Sequence, residues 1–142
     1  MAHTLVDSFI QYFEQFSQDK LQHMDDLFSE NFIFVDPVQQ ISGLAPYQRY
    51  LASLYENTKS CVFTVQQCDV ADSSAWIVWK MDCVHARLNR GRAFQLEGVT
   101  HLKFDHRITY QRDYYDLGAM VYENIPFLRR VIFWLKNRMM QS

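Results

Sequence analysis

Turn-forming residues are scarce in this sequence of 142 residues, which has four glycines and three prolines. Linkers and low-complexity segments are rich in such residues, so a chain of this length is expected to form one domain. Cysteine is also scarce: Cys61, Cys68 and Cys83 are odd in number and lack CxxC spacing. We therefore expect reduced thiols in a cytoplasmic protein, and neither a disulfide framework nor a zinc site.

Strong net charge and long apolar runs are lacking as well. The formal net charge is −2, which argues against a nucleic-acid-binding surface. No stretch of 18 apolar residues occurs, and the N-terminus shows no basic region followed by an apolar run, so neither a membrane span nor a signal peptide is expected. HExxH, GxSxG and glycine-rich phosphate motifs are absent, so we expect no metal and no cofactor.

Aromatic residues, in contrast, are abundant. They make up 15% of the chain, as eleven Phe, eight Tyr and three Trp. Such side chains can fill the core of a small domain, and they can equally line a concave apolar pocket.

The hydrophobic pattern changes its period along the chain. The first part predicts helices at about 5–16, 19–28 and 46–55, and a strand over Phe32–Asp36 that ends before Pro37. After Ser60 the period becomes two, which predicts the strands Cys61–Ala71, Ala75–Arg87, Phe94–Phe104 and Ile108–Tyr115. Helices followed by an antiparallel meander indicate an α+β fold in which the helices cover one face of a curved sheet.

The end of the chain predicts an amphipathic helix over Ile125–Met140, so we divide the chain into a domain at 1–123 and a helical extension at 124–142. Packing of this helix on the sheet or on a partner subunit is the favoured interpretation. The alternative is that its basic and apolar faces rest on an anionic membrane surface. Arg138 falls within the apolar arc, which weakens the membrane interpretation slightly.

Four charged residues are candidates for chemistry. Asp36 ends an apolar strand, where burial would make it a general base, although it can also simply form the turn after Pro37. Lys80 and Asp82 are two apart on an apolar strand and project from one face of it. Asp113 on the last strand could complete an Asp–Lys–Asp group suited to acid–base work, unless these charges face solvent.

Three segments carry a resemblance to a known family: 27–38 (LFSENFIFVDPV), 98–105 (GVTHLKFD) and 112–116 (RDYYD). The chain resembles the SnoaL-like branch of the nuclear-transport-factor-2-like superfamily over about residues 5–117. This resemblance implies a cone-shaped fold that encloses one pocket. Members of the superfamily isomerise steroids, cyclise polyketides, hydrolyse epoxides, or only bind and dimerise, so the fold leaves the function open.

Two branches of the superfamily imply specific roles. Similarity to ketosteroid isomerases implies that Asp36 shuttles a proton, with Tyr12 as a hydrogen-bonding partner and Thr100 in the place of a protonated acid. Similarity to limonene-epoxide hydrolase implies that Asp113 activates water, Asp82 protonates the epoxide and Lys80 bridges them.

Together these observations lead to one expected function and one alternative. We expect a SnoaL-like protein whose aromatic-lined pocket binds a small apolar ligand through Tyr12, Phe34, Thr100 and Tyr115. If it is an enzyme, we expect cofactor-free acid–base chemistry, either hydrolysis or isomerisation. The alternative is a non-catalytic binding or dimerisation module. In both cases the resemblance implies a homodimer.

Overall fold

The computed structural model describes residues 2–86, 88–120 and 126–141. The elements follow the predicted order, with helices first and a meander second. They are α1 (Ala2–Glu14), a 3₁₀ helix (Gln18–Asp26), β1 (Phe28–Val35), β2 (Gln40–Ser42), α2 (Leu44–Glu56), β3 (Thr58–Val70), β4 (Ser74–His85), a short 3₁₀ turn (Asn89–Gly91), β5 (Phe94–Phe104), β6 (Ile108–Tyr115), α3 (Leu117–Met120) and α4 (Pro126–Gln141).

The six strands form one sheet in the order β2-β1-β6-β5-β4-β3. Only the β1–β6 pair is parallel, and the other four pairs are antiparallel. The sheet curls around the helices without closing into a barrel, since β2 and β3 remain at its two edges. The prediction of an α+β fold with a curved, mostly antiparallel sheet is confirmed.

Two predicted boundaries differ from the structure near the first strand. The segment predicted as a helix to Phe28 is a 3₁₀ helix that ends at Asp26, with a non-helical backbone at His23. Phe28 instead begins β1, where it is almost completely buried and pairs with Ile108 of β6. A short apolar segment shows no periodicity that distinguishes a strand from a helix. Pairing with β6 therefore decides the conformation of Phe28.

The core lies between the helices and the concave face of the sheet. Phe28, Phe32 and Phe34 alternate along β1 with their side chains inward. Their rings pack on helix residues: Phe28 contacts Phe9 of α1, and all three contact Tyr47 of α2. The aromatic residues noted in the sequence therefore join the helices to the sheet, and burial of each ring contributes about 2–3 kcal/mol.

The C-terminal helix α4 does not pack its apolar residues on the sheet. Every described side chain from Phe127 to Gln141 is exposed except Ile132, which is partly buried. An ion pair of 3.9 Å joins Lys136 to Asp116, but both side chains are at least half exposed, so this contact contributes little stability. The predicted helix is present, and it does not dock on the sheet. The other half of that prediction, packing on a partner subunit, stays a prediction. The predicted domain boundary after residue 123 lies outside the described residues.

Across the part of the chain that the structure describes, no helix has both the length and the apolar character needed to cross a membrane.

Candidate functional site

An aromatic cavity of about 230 Å³ lies between the concave face of the sheet and helices α1 and α2. A single ordered water needs only about 10–15 Å³, so this space suits an organic molecule. Its walls are mainly apolar rings, and the predicted ligand-binding residues Phe34, Thr100 and Tyr115 line it together with Asp36 and Asp113. Other aromatic lining residues include Tyr47, Tyr50, Tyr55, Phe63 and Trp79.

Asp113 of β6 is the best-supported catalytic candidate in this cavity. Thr100 lies directly opposite it on β5, and the Thr100 hydroxyl donates a hydrogen bond of 2.7 Å to Asp113 Oδ1. Gln111, two residues earlier on the same face of β6, donates its Nε2–H to the same oxygen at 3.1 Å. Both bonds end on Oδ1, and the Asp113 side chain lines the cavity.

A second layer of hydrogen bonds fixes the donors of Asp113. Trp79 Nε1 donates to Thr100 Oγ1 at 2.9 Å, and the Tyr47 hydroxyl donates to Gln111 Oε1 at 3.4 Å. An indole N–H can only donate, so the Thr100 oxygen accepts from Trp79 and its own proton points to Asp113. The carboxylate is thus held in one orientation by four cooperating side chains.

The environment of Asp113 shifts its protonation toward neutral pH. Burial raises the pKa of Asp113 to about 6, and the nearby charge of Asp36 acts in the same direction. The hydrogen bonds from Thr100 and Gln111 favour the ionised form and oppose part of this rise. A carboxyl group with a pKa of about 6 exchanges protons readily near neutral pH, as a general acid or base must.

Asp36 has the turn role that the sequence left open, and it also lines the cavity. Its Oδ1 accepts hydrogen bonds from the backbone N–H groups of Val38 and Gln39, at 2.8 and 3.0 Å, which closes the turn after Pro37. Its Oδ2 accepts a longer bond of 3.4 Å from the Tyr115 hydroxyl. Asp36 therefore holds the rim of the cavity and orients Tyr115.

Buried tyrosine hydroxyls surround the two carboxylates. Burial raises the pKa of Tyr50 to about 12, with further contributions from the charges of Asp36 and Asp113. Burial likewise raises the pKa of Tyr47 and that of Tyr115. These phenols therefore stay protonated at neutral pH. The protons of Tyr47 and Tyr115 are donated to Gln111 and Asp36, so Tyr50 is the phenol suited to donate to a ligand oxygen.

The predicted convergence of Lys80, Asp82 and Asp113 is wrong. In β4 the side chains of Trp79, Met81 and Cys83 line the cavity, so Lys80 and Asp82 project from the opposite face of the sheet. Asp82 is exposed there and accepts a hydrogen bond of 2.9 Å from Gln95 Nε2. The sequence had placed Lys80 and Asp82 correctly on one face, but that face is the outer one.

The predicted position of Tyr12 at the ligand site is also wrong. Its hydroxyl donates a hydrogen bond of 2.7 Å to the Lys20 carbonyl, which ties α1 to the 3₁₀ helix. Phe9 and Phe13 of α1 line the cavity instead, together with Phe16, which follows the end of α1. The helical face predicted from spacing is broad, and Tyr12 lies at its edge.

Sequence reasoning missed three residues of the Asp113 network: Tyr47, Trp79 and Gln111. Tyr47 and Trp79 belong to the apolar patterns that predict a helix and a strand, so nothing marks them as site residues. Gln111 belongs to no motif. The spacing of Gln111 and Asp113 does put both on one face of β6, and that signal could have been used. His85 also lines the cavity, where it is buried.

Replacing Thr100 with valine is expected to raise the pKa of Asp113 further above its ordinary value, because a hydrogen bond to the ionised form is lost. The Trp79 N–H would lose its acceptor, so the free energy of unfolding should fall by about 1–3 kcal/mol. The pKa is measured by carbon NMR of the Asp113 carboxyl group. Thr64→Val is the matched control, since Thr64 is exposed on β3. An unchanged Asp113 titration in Thr100→Val would contradict the described hydrogen bond.

Comparisons with known proteins agree with the fold. A family model described as the SnoaL-like domain matches residues 9–111. A solved structure assigned as a SnoaL-like polyketide cyclase, from Shewanella denitrificans, is similar with 17% identity and a TM-score of 0.71, over 83% of this chain and 92% of that one. An LEH-like epoxide hydrolase of M. tuberculosis is similar with 14% identity and a TM-score of 0.68, over 96% of both chains.

A third similar structure is a protein with a ketosteroid isomerase-like fold from Catenulispora acidiphila, in complex with trimethylamine. It shares 16% identity and a TM-score of 0.67, over 81% of this chain and 87% of that one. At such low identities these likenesses show a common fold. A comparison with curated protein sequences found no match.

Proposed function

The chain belongs to the SnoaL-like domain family, and from this premise we propose that it binds a small, largely apolar carbonyl compound and transfers a proton with Asp113. The observation that carries the proposal is the partly buried carboxyl group of Asp113, which is held through Oδ1 and lines an aromatic cavity. Its pKa of about 6 suits the abstraction of a proton near neutral pH.

In the proposed reaction, Asp113 removes a proton from the carbon next to the carbonyl group. Negative charge then develops on the carbonyl oxygen, and the protonated phenol of Tyr50 stabilises it by donating a hydrogen bond. Where a C=C bond of the ligand is conjugated with the enolate, the protonated Asp113 returns the proton to the far carbon of that conjugated system, which completes an isomerisation. Each of these steps uses only side chains of this chain.

The geometry favours this chemistry over epoxide hydrolysis. The hydrolytic scheme needs a second carboxylic acid and a bridging cation beside the base, and the residues predicted for those roles, Asp82 and Lys80, lie on the outer face of the sheet. The name of the Shewanella denitrificans relative, a polyketide cyclase, is consistent with a proton-transfer reaction.

The charges of the cavity indicate which ligands it favours. Glu14, Asp36 and Asp113 line it, whereas no lysine or arginine does among the described residues. A carboxylate or phosphate ligand would bring like charges together in an apolar space, which is costly. The cavity therefore disfavours an anionic ligand, and a neutral carbonyl compound fits it better.

The proposal predicts that the protein accelerates deuterium incorporation next to the carbonyl group of a bicyclic ketone such as 2-tetralone in D₂O. Proton NMR measures this exchange, with cyclohexanone and a tricyclic ketone as smaller and larger ligands. Tetralin has the same rings without the carbonyl, so it should raise the melting temperature without undergoing exchange. Binding of all these ligands without faster exchange of any ketone would contradict catalysis and favour the non-catalytic binding module.

A further inference from the structure

Helix α4 concentrates the positive charge of the chain. It contains four of the 14 basic residues and none of the 16 acidic ones. The basic residues are Arg129, Arg130, Lys136 and Arg138. A helix of 16 residues with this composition attracts anionic surfaces.

The same helix exposes a continuous apolar arc. At 100° per residue, Phe127, Val131 and Leu135 form its centre line, and Trp134 borders them on one side. Phe127 is 75% exposed and Trp134 is 56% exposed. Large apolar side chains of this kind, left exposed together, mark a surface that contacts something else.

We propose that α4 binds the surface of an anionic lipid bilayer and lies in the plane of the interface. Its apolar arc would enter the boundary between headgroups and acyl chains, with Trp134 at headgroup depth, and Arg129, Arg130 and Lys136 on the opposite arc would contact lipid phosphates. All charged residues of α4 are basic, so their charge complements that of an anionic lipid surface. This complementarity is the reason for choosing a bilayer as the binding partner.

The position of Arg138 slightly weakens the membrane interpretation, but it argues more strongly against pairing of α4 with the α4 helix of a second copy. Arg138 lies within the apolar arc, and its guanidinium stacks over the Trp134 ring at 5.1 Å. In a dry protein interface this charge would be buried and would need a carboxylate, which α4 itself does not contain. At a bilayer surface the apolar stem can stay in the interface while the guanidinium reaches a phosphate.

Co-sedimentation of the full chain with vesicles tests the inference. We expect binding to vesicles of phosphatidylcholine with 30% phosphatidylglycerol, no binding to phosphatidylcholine alone, and weaker binding at high salt. Trp134→Ala should reduce binding at least tenfold. Its matched control is Trp76→Ala, because Trp76 is 43% exposed on the outer face of the sheet. Equal binding to both vesicle types would overturn the proposal.

A charge series separates α4 from the overall charge of the protein. The double variant Arg129→Gln with Arg130→Gln should bind anionic vesicles about 30-fold more weakly, roughly fivefold for each cation. Lys103→Gln with Arg112→Gln removes the same charge from the outer face of the sheet and should bind as the wild type does. An equal loss in both pairs would overturn the role of α4. A second outcome would also overturn the role of α4 at the bilayer. In it, the wild-type protein binds no vesicles but self-associates, and Trp134→Ala abolishes the self-association.

Discussion

Replacing Asp113 with asparagine is expected to slow the exchange of protons next to the carbonyl group of 2-tetralone by about 10²–10⁴-fold. Asparagine keeps the shape of the side chain and can still accept hydrogen bonds from Thr100 and Gln111, but its amide does not take up the proton. In the wild type the rate should rise with pH through about pH 6 and then level off, because the ionised carboxylate of Asp113 is the base. Proton NMR in D₂O measures both effects.

The stability of the same variant provides the control. The pKa of Asp113 is higher in the folded state than its ordinary value, so ionisation of this group destabilises the folded protein as the pH rises from about 4 to about 6. At pH 8 Asp113→Asn should therefore be more stable than the wild type, by at most about 3 kcal/mol. Loss of exchange with unchanged or higher stability supports a catalytic role, whereas loss of exchange through unfolding, or exchange at the wild-type rate, would contradict it.

Replacing Gly98 with alanine is expected to lower the free energy of unfolding by about 3 kcal/mol. Gly98 pairs with Trp79 across β5 and β4. A Cβ atom at position 98 would lie 2.4 Å from Trp79 Cζ2, 2.5 Å from Trp79 Cη2 and 2.8 Å from the Tyr114 carbonyl oxygen. The indole would have to move, and movement would strain its hydrogen bond to Thr100. Urea denaturation followed by circular dichroism measures the loss.

A double variant tests the cause of this loss. Trp79→Leu removes the ring atoms that the new methyl group would meet, so Gly98→Ala should cost less in the Trp79→Leu background than in the wild type. The carbonyl oxygen of Tyr114 remains close, so the rescue should be partial. Strictly additive losses would mean that Trp79 is not the obstacle.

The strands were the elements that the sequence predicted best. The alternation of apolar residues predicts β5 and β6 with the boundaries that the structure shows. Alternation also predicts that Lys80 and Asp82 share a face. It leaves open which face is inner, because β4 has apolar residues on both sides, and packing against helices α1 and α2 decides this.

The sequence predicted only part of the candidate site, for a related reason. The sequence pattern offered Asp113 as one end of an Asp–Lys–Asp group, and the family resemblance implied that it activates water. Asp113 lines the cavity without Lys80 and Asp82, and its catalytic role stays a prediction. The hydrogen bond from Thr100 depends on the register between β5 and β6, and the one from Trp79 depends on a side-chain orientation. Neither the register nor the orientation is encoded in a local sequence pattern.

The three tryptophans of the chain lie in three separate environments, so their intrinsic fluorescence can report on three different sites. Trp76 is on the outer face of the sheet, Trp79 is buried in the cavity wall, and Trp134 is exposed on α4. Indole emission depends on the polarity around the ring, so a ligand that enters the cavity should change the emission of Trp79 alone. A lipid surface that covers α4 should instead shift the emission of Trp134 to shorter wavelength. Phenylalanine at Trp76 and Trp134 leaves Trp79 as the single indole, so the cavity can be followed without a label.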